Sequence, residues 1–160
     1  MIRNVSTDDA DPICDIYNYY VLNTIITFEE TPVSNEEMKS RIEKTAGKLP
    51  WIVYEENKQV MGYAYASEWK SRCAYKHSLE TTVYLRNGQG GNGIGSLLYK
   101  ELISRLKAKN YHAAIGGISL PNEASIALHE KFGFEKIGQF REVGFKFDRW
   151  IDVGYWELIL

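Results

Sequence analysis

Glu80-Thr81-Thr82-Val83-Tyr84-Leu85-Arg86-Asn87-Gly88-Gln89-Gly90-Gly91-Asn92-Gly93-Ile94-Gly95-Ser96 puts a carboxylate, a strand, a glycine-rich turn and a helix start in immediate succession. Val83, Tyr84 and Leu85 are β-branched or bulky and favour an extended strand. Gly88, Gly90, Gly91, Gly93 and Gly95 let the chain turn sharply and bring backbone N–H groups close to a ligand. Beyond the turn, Ile94, Leu98, Leu102 and Leu106 recur every four residues, joined by Leu97 and Ile103, while Lys100, Glu101, Arg105 and Lys107 are left for water. That pattern predicts a helix with one buried stripe, whose first N–H groups near Gly93 and Gly95 have no intrahelical partner. Such groups, at the positive end of the helix dipole, attract phosphate. Glu80 at the strand head is then a base beside an anion site.

Three phosphate-binding designs use a turn of this kind. A P-loop requires Gly-Lys-Ser/Thr at its end, whereas this turn closes Gly93-Ile94-Gly95-Ser96 with no lysine. A dinucleotide fingerprint is formally present, because Gly88, Gly90 and Gly93 have the G-x-G-x-x-G spacing. That design also requires an acid closing the next strand and a first βα unit near the chain start. The next strand, Ala113 to Leu120, has no acid, and the motif lies far into the chain. The third design is an acyl-CoA pyrophosphate site.

Outward from this stretch, strands and helices alternate. Ile2 to Val5 reads as a strand and Thr7-Asp8-Asp9 as the capped start of a helix carrying Ile13, Ile16, Tyr17 and Tyr20 on one side. Ser34-Asn35-Glu36-Glu37 opens a second helix after the loop Asn23 to Pro32. Trp51 to Glu55 and Gln59 to Ser67 are strands joined by a turn at Glu56-Asn57-Lys58. Leu79 to Leu85, the helix after Gly93, Ala113 to Leu120 and a helix from Asn122 to Lys131 form a β-α-β-α run, closed by Gly133. Two further strands, about Phe134 to Val143 and Trp150 to Ile159, complete an α/β fold with a mixed sheet.

With 160 residues, 44% hydrophobic and 25% charged, the chain fills one core and reads as a single domain over residues 1–160. A formal net charge of −2 with no basic run argues against nucleic-acid binding. No apolar stretch approaches a membrane span, and Met1-Ile2-Arg3-Asn4 reads as an edge strand rather than an apolar leader, which predicts a cytoplasmic protein. Cys14 and Cys73 have no C-x-x-C or metal spacing and read as reduced thiols; no metal site is expected.

Across nearly its whole length the chain resembles the GNAT acetyltransferases, and within them the phosphinothricin and methionine sulfoximine N-acetyltransferase family. Besides the glycine turn, the resemblance rests on Pro50-Trp51-Ile52-Val53, Gly62-Tyr63-Ala64-Tyr65-Ala66, Trp69-Lys70-Ser71-Arg72-Cys73-Ala74-Tyr75, Leu120-Pro121-Asn122-Glu123, Leu128-His129-Glu130-Lys131-Phe132-Gly133-Phe134 and Gly144-Phe145-Lys146 through Trp156. It implies the GNAT acyl-CoA N-acyltransferase fold, a central, mostly antiparallel sheet flanked by helices. The general Gln/Arg-x-x-Gly-x-Gly/Ala pattern falls on Gly90, Gly93 and Gly95, so the backbone cradle is kept while the Gln or Arg side chain is missing.

The resemblance implies acetyl-CoA as the co-substrate, held by Val83, Tyr84 and Leu85, by Gly90, Gly91, Asn92, Gly93, Ile94, Gly95 and Ser96, and by Asn122, which is also an N-cap; the site roles that follow are implied in the same way. Glu80 is the base, raised by burial and working through a water relay, and the Leu85 N–H is the oxyanion donor. The bland alternative for Glu80 is an ion pair with Arg72 or Arg86. His129 stands where many GNAT enzymes carry a thiolate-protonating tyrosine; the alternative is a packed, hydrogen-bonded histidine. His77 and His112 read as surface or edge residues. Phe28, Arg72, Cys73, Ala74 and Tyr75 are expected around the acceptor, with Arg72 suited to an anionic oxygen and Lys70 at its flank. The implied activity is direct transfer of acetyl to the α-amine of a small anionic amino acid of the phosphinothricin, methionine sulfoximine or methionine sulfone type, by a homodimer. A non-catalytic acyl-CoA-binding sensor, and a GNAT enzyme for another small amine, are the other readings.

Overall fold

Trp51 and Val53 bury into one core and Ile52 into another, because successive side chains of a strand point to opposite faces. Tyr63 and Ala64 divide in the same way, so the middle strands are apolar on both sides and are covered on both sides. The computed structural model describes residues 1–160. Its strands are β1 (Ile2–Asn4), β2 (Trp51–Glu56), β3 (Gln59–Glu68), β4 (Ser78–Leu85), β5 (Ala113–Ser119), β6 (Glu135–Lys146) and β7 (Arg149–Ile159). They form one seven-stranded sheet in the order β1-β2-β3-β4-β5-β7-β6, in which β4 and β5 are the only parallel neighbours.

Helices α1 (Ala10–Asn23) and α2 (Asn35–Ala46) cover one face, where Ile13, Ile16, Val21, Met38 and Ile42 pack against Trp51, Val53, Tyr63 and Tyr84. Helix α3 (Ile94–Ala108) covers the other, its stripe Ile94, Leu98, Leu102 and Leu106 meeting Ile52, Ala64, Leu79 and Ala114. Helix α4 (Glu123–Lys131) follows β5; the Asn122 carboxamide oxygen accepts from the Ser125 N–H, so the predicted cap forms. No helix is long and apolar enough to cross a membrane.

Three boundaries differ from the sequence expectation. Thr7–Asp9 is a short 3-10 turn and the α-helix begins after it, because the Asp9 carboxylate accepts the Ser6 N–H and is forked by Arg3. Glu56 pairs with Gln59, so the β2–β3 turn is Asn57-Lys58 alone, both at positive φ. The closing strands extend to Lys146 and Arg149 because a bulge with Glu142 at positive φ absorbs the register shift between Phe140 and Gly144.

Candidate active site

The parallel pair β4–β5 lasts only from Ser78 opposite Ala113 to Glu80 opposite Ile115, after which the strands separate. On the other side of β4, the Arg86 N–H donates to Met61 O of β3. In an antiparallel ladder successive residues alternate sides, so Val83 and Leu85 turn their backbone polar groups into the gap beside β5. One of these, the Leu85 carbonyl, accepts a hydrogen bond from Tyr20 OH at 2.7 Å.

The gap opens into a cleft of about 810 Å³ running from Val83 and Leu85 to the glycine turn and the start of α3. Gly88, Gly91 and Gly93 have φ near +80°, a conformation that costs other residues strain. A side chain added at Gly88, Gly90, Gly91 or Gly93 would meet no protein atom, so the space over the turn is open. Leu97 donates to Gly93 O, which leaves the N–H groups of Ile94, Gly95 and Ser96 without a helical partner. Open backbone, free N–H groups and apolar walls from Ile26 and Leu128 fit a phosphate-bearing acyl carrier. Lys131 also lines this cleft, its Nζ donating to Ser96 Oγ at 3.0 Å. The sequence reading gave Lys131 no role at the cofactor; its distance in sequence from the glycine turn hid it, and it brings a cation where Gly90 replaces the family's Gln or Arg.

Glu80 lies at the vertex of the gap and lines a second cavity of about 400 Å³, which shares Ile26, Val83, Tyr84, Asn122 and Ser125 with the first. Its carboxylate is half-buried and enters none of the chain's ion pairs, so the bridges to Arg72 or Arg86 do not form. Arg86 instead donates Nε to Val60 O. Burial pushes the Glu80 carboxyl above its ordinary value. Gly117 on β5 keeps the space beside it open, since a Cβ there would sit 3.5 Å from Glu80 Oε1 and 3.2 Å from the Tyr155 ring.

A profile of the acetyltransferase (GNAT) domain matches residues 2–154. The chain belongs to the GNAT acetyltransferase family. It is 44% identical to a phosphinothricin N-acetyltransferase of Streptomyces coelicolor, over 98% of this chain and 94% of that one. It is 35% identical to an L-methionine sulfoximine/L-methionine sulfone acetyltransferase of Pseudomonas aeruginosa, over 99% and 94% of the two chains. The crystal structure of a GNAT superfamily phosphinothricin acetyltransferase from Sinorhizobium meliloti, in complex with AcCoA, superposes with a TM-score of 0.96 at 38% identity, covering 100% of this chain and 88% of that one.

In this GNAT chain His129 is 3% exposed and both ring nitrogens are engaged. Nδ1 lies 2.7 Å from the Ser125 carbonyl, which assigns it the proton. Nε2 then accepts from Tyr99 OH at 2.7 Å, and Tyr99 in turn accepts from Thr81 Oγ1 at 2.9 Å. Burial pushes the imidazole below its ordinary value, with the Ser125 carbonyl opposing. His129 also lines the Glu80 cavity, with both ring nitrogens engaged inside the chain.

The predicted acceptor residues separate into two groups. Phe28 lines the Glu80 cavity with Ile26 and Thr27, its ring against Gly144 of β6, where a Cβ would come within 2.5 Å. Two bonds pin this loop: Lys146 Nζ, 2% exposed, donates to Thr27 O at 2.8 Å, and Tyr17 OH pairs with Thr27 Oγ1 at 2.8 Å. Arg72, Cys73 and Tyr75 line a different cavity of about 580 Å³, together with Lys44, Lys48 and Lys70, and Ala74 lines neither. The loop carrying Arg72 precedes β4 and packs beside the end of α2 and of β3, so its cavity takes in Ser78 and Leu79 from the start of β4, while the Glu80 cavity is lined by Glu80 to Tyr84 further along the strand. His77 and His112 are exposed at the start of the β4–β5 pair.

Proposed function

We propose that this protein transfers the acetyl group of acetyl-CoA to the α-amine of a small anionic amino acid of the phosphinothricin, methionine sulfoximine or methionine sulfone type. The observation that carries the reading is an unpaired, half-buried Glu80 lining one of two cavities that meet at Val83 and Tyr84, the Glu80 cavity suited to the acceptor and the other to the acyl carrier. The acceptors named for the relatives support the substrate class.

Acetyl-CoA supplies the acetyl group as a thioester. Gly90, Gly91, Gly93, Gly95, Ser96 and Lys131 line the cleft and take the pyrophosphate, with the N–H of Ile94 at the helix start and Asn92 completing the turn, while Val83, Tyr84, Leu85 and Asn122 line the path of the arm. An ordinary glutamate, near pKa 4.3, is about three units below an α-amine, so uncatalysed proton transfer is uphill by roughly 4–5 kcal/mol. Burial of Glu80 reduces that gap, and one bridging water extends its reach. The oxyanion donor we assign is the Val83 N–H rather than Leu85. At about 3.4 Å per residue Leu85 stands roughly 17 Å from Glu80, whereas Val83 is roughly 10 Å away and lines both cavities. His129 we assign to holding α4 against β5. Cys14 is buried against Val33 O and Cys73 lies in the other cavity, which favours direct transfer over an acyl-enzyme.

We place residues 1–160 in one catalytic domain and read the chain as a cytoplasmic homodimer. Ile137, Phe140, Val143, Phe145, Phe147 and Trp150 are each more than half exposed along the β6–β7 edge of the sheet, an apolar strip that suits a second copy.

The test is thiol release from acetyl-CoA with a panel of amine acceptors. Turnover of methionine sulfone or phosphinothricin well above that of polyamines and aminoglycosides is expected. Turnover confined to another amine would reassign the acceptor, and acetyl-CoA binding without turnover of any amine would favour the sensor.

A further inference from the structure

Ser119 ends β5 with 6% of its surface exposed, and its hydroxyl has no hydrogen-bond partner in the chain. Buried hydroxyls are normally paired, and only one other buried side-chain atom, Trp51 Nε1, is left in this way. Trp51 packs against Tyr63 and Tyr65 in the core, but Ser119 lines the Glu80 cavity.

Strand alternation gives the direction of this side chain. A Cβ at Gly116 would meet His129, whereas one at Gly117 would meet Tyr155 and Glu80. Ser119 is two residues beyond Gly117, on the Glu80 face, about 7 Å further along the strand. Phe28, Val143 and Val153 wall that end of the cavity, and no lysine or arginine lines it. An acceptor oxygen entering here meets neutral donors only. The Thr81 hydroxyl is committed to Tyr99 and the Thr27 hydroxyl to Tyr17, which leaves Ser119 as the buried donor with nothing to bond.

We infer that the Ser119 hydroxyl is an acceptor-binding group, donating a hydrogen bond to an anionic or oxo oxygen of the amino acid. This rests on the acetyl-transfer reading and deepens it: specificity for an oxygen-bearing acceptor comes from the end of β5, not from the Arg72 loop. The donor suits either the carboxylate or the sulfonyl or phosphinyl oxygen of the side chain, and truncated acceptors separate the two.

Ser119→Ala removes an unpaired polar atom, so the fold should be as stable as wild type or slightly more so. The acetyl-CoA KM should hold while kcat/KM for methionine sulfone falls about 10- to 100-fold, as for loss of one bond to a charged group. If the contact is to the carboxylate, wild type and variant should be equal on the decarboxylated amine. If it is to the sulfone, they should be equal on methionine. Calorimetric binding of methionine sulfone to both proteins loaded with CoA tests the contact without turnover, so an inactive wild type would refute acetyl transfer and leave Ser119 still under test. Unchanged acceptor binding in Ser119→Ala overturns the inference, as does a raised acetyl-CoA KM with an unchanged acceptor KM.

Discussion

Gly116→Ala adds one methyl group and should disable a buried hydrogen-bond chain. The new Cβ would lie 2.6 Å from His129 Cδ2 and against Nε2, closer than packed carbons approach. The ring has no slack, because Nδ1 is tied to Ser125 O and Nε2 to Tyr99 OH. Displacing it leaves at least one buried polar atom unpaired, at about 1–3 kcal/mol, and overpacks the β5–α4 contact at about 1–3 kcal/mol. The sum, about 2–6 kcal/mol, is a large share of the roughly 5–15 kcal/mol that holds a domain together. Thermal unfolding should therefore drop by about 5–20 °C for a chain of this size. Gly138→Ala is the control: no protein atom lies near its Cβ, so urea unfolding should move by no more than about 0.5 kcal/mol. A pH series adds a second readout. His129 titrates below its ordinary 6.5 in the fold, so the unfolded chain binds the extra proton as pH drops below that value. Wild type should lose stability through that window, and the variant, with its ring displaced, should lose less. A Gly116→Ala protein within about 1 kcal/mol of wild type would refute the locked ring.

Glu80→Gln keeps size and removes basicity, so kcat should fall by roughly 10²–10⁴-fold with acetyl-CoA affinity unchanged; wild-type turnover would make Glu80 structural. Because the folded pKa is raised above 4.5, the ionised form weakens the fold, and wild-type stability falls as pH rises through the raised value. The variant should accordingly be the more stable protein at neutral pH, with the difference closing below 4.5. Gly93→Val forces a β-branched residue into φ +80° and fills the cradle, so acetyl-CoA titration should show at least about tenfold weaker binding with the fold retained; equal affinity would remove the backbone cradle from the reading. Lys146→Met exchanges a buried ammonium for an apolar chain of similar length and releases Thr27 O. The acceptor KM should rise several-fold while the acetyl-CoA KM holds, and an unchanged acceptor KM would mean that the Ile26–Phe28 wall stands without it.

The segment from Glu80 to Ser96 was legible because strand, glycine turn and amphipathic helix are local patterns, each written within a few residues. The Asn122 cap and the Gly133 stop were legible for the same reason, since capping geometry depends on near neighbours. Periodicity placed every strand to within a few residues, and the family resemblance implied a mixed, mostly antiparallel sheet, whereas the strand order came only from the structure. Extents of β6 and β7 were not legible, because the Glu142 bulge is fixed by cross-strand pairing.

By itself, the sequence determined a GNAT fold, a glycine turn opening a helix and a carboxylate at the head of β4. Only the tertiary structure decided which groups are free. It tied both nitrogens of His129, left Glu80 without a partner, and brought Lys131 of α4 to Ser96 of α3. It also turned Arg72 into a cavity on the other side of Leu79 and left the Ser119 hydroxyl unpaired in the Glu80 cavity. Propensity and pattern are properties of neighbouring residues, whereas hydrogen-bond partnership, burial and the pKa values that follow depend on atoms supplied by distant elements, and those contacts exist only once the sheet and helices have packed.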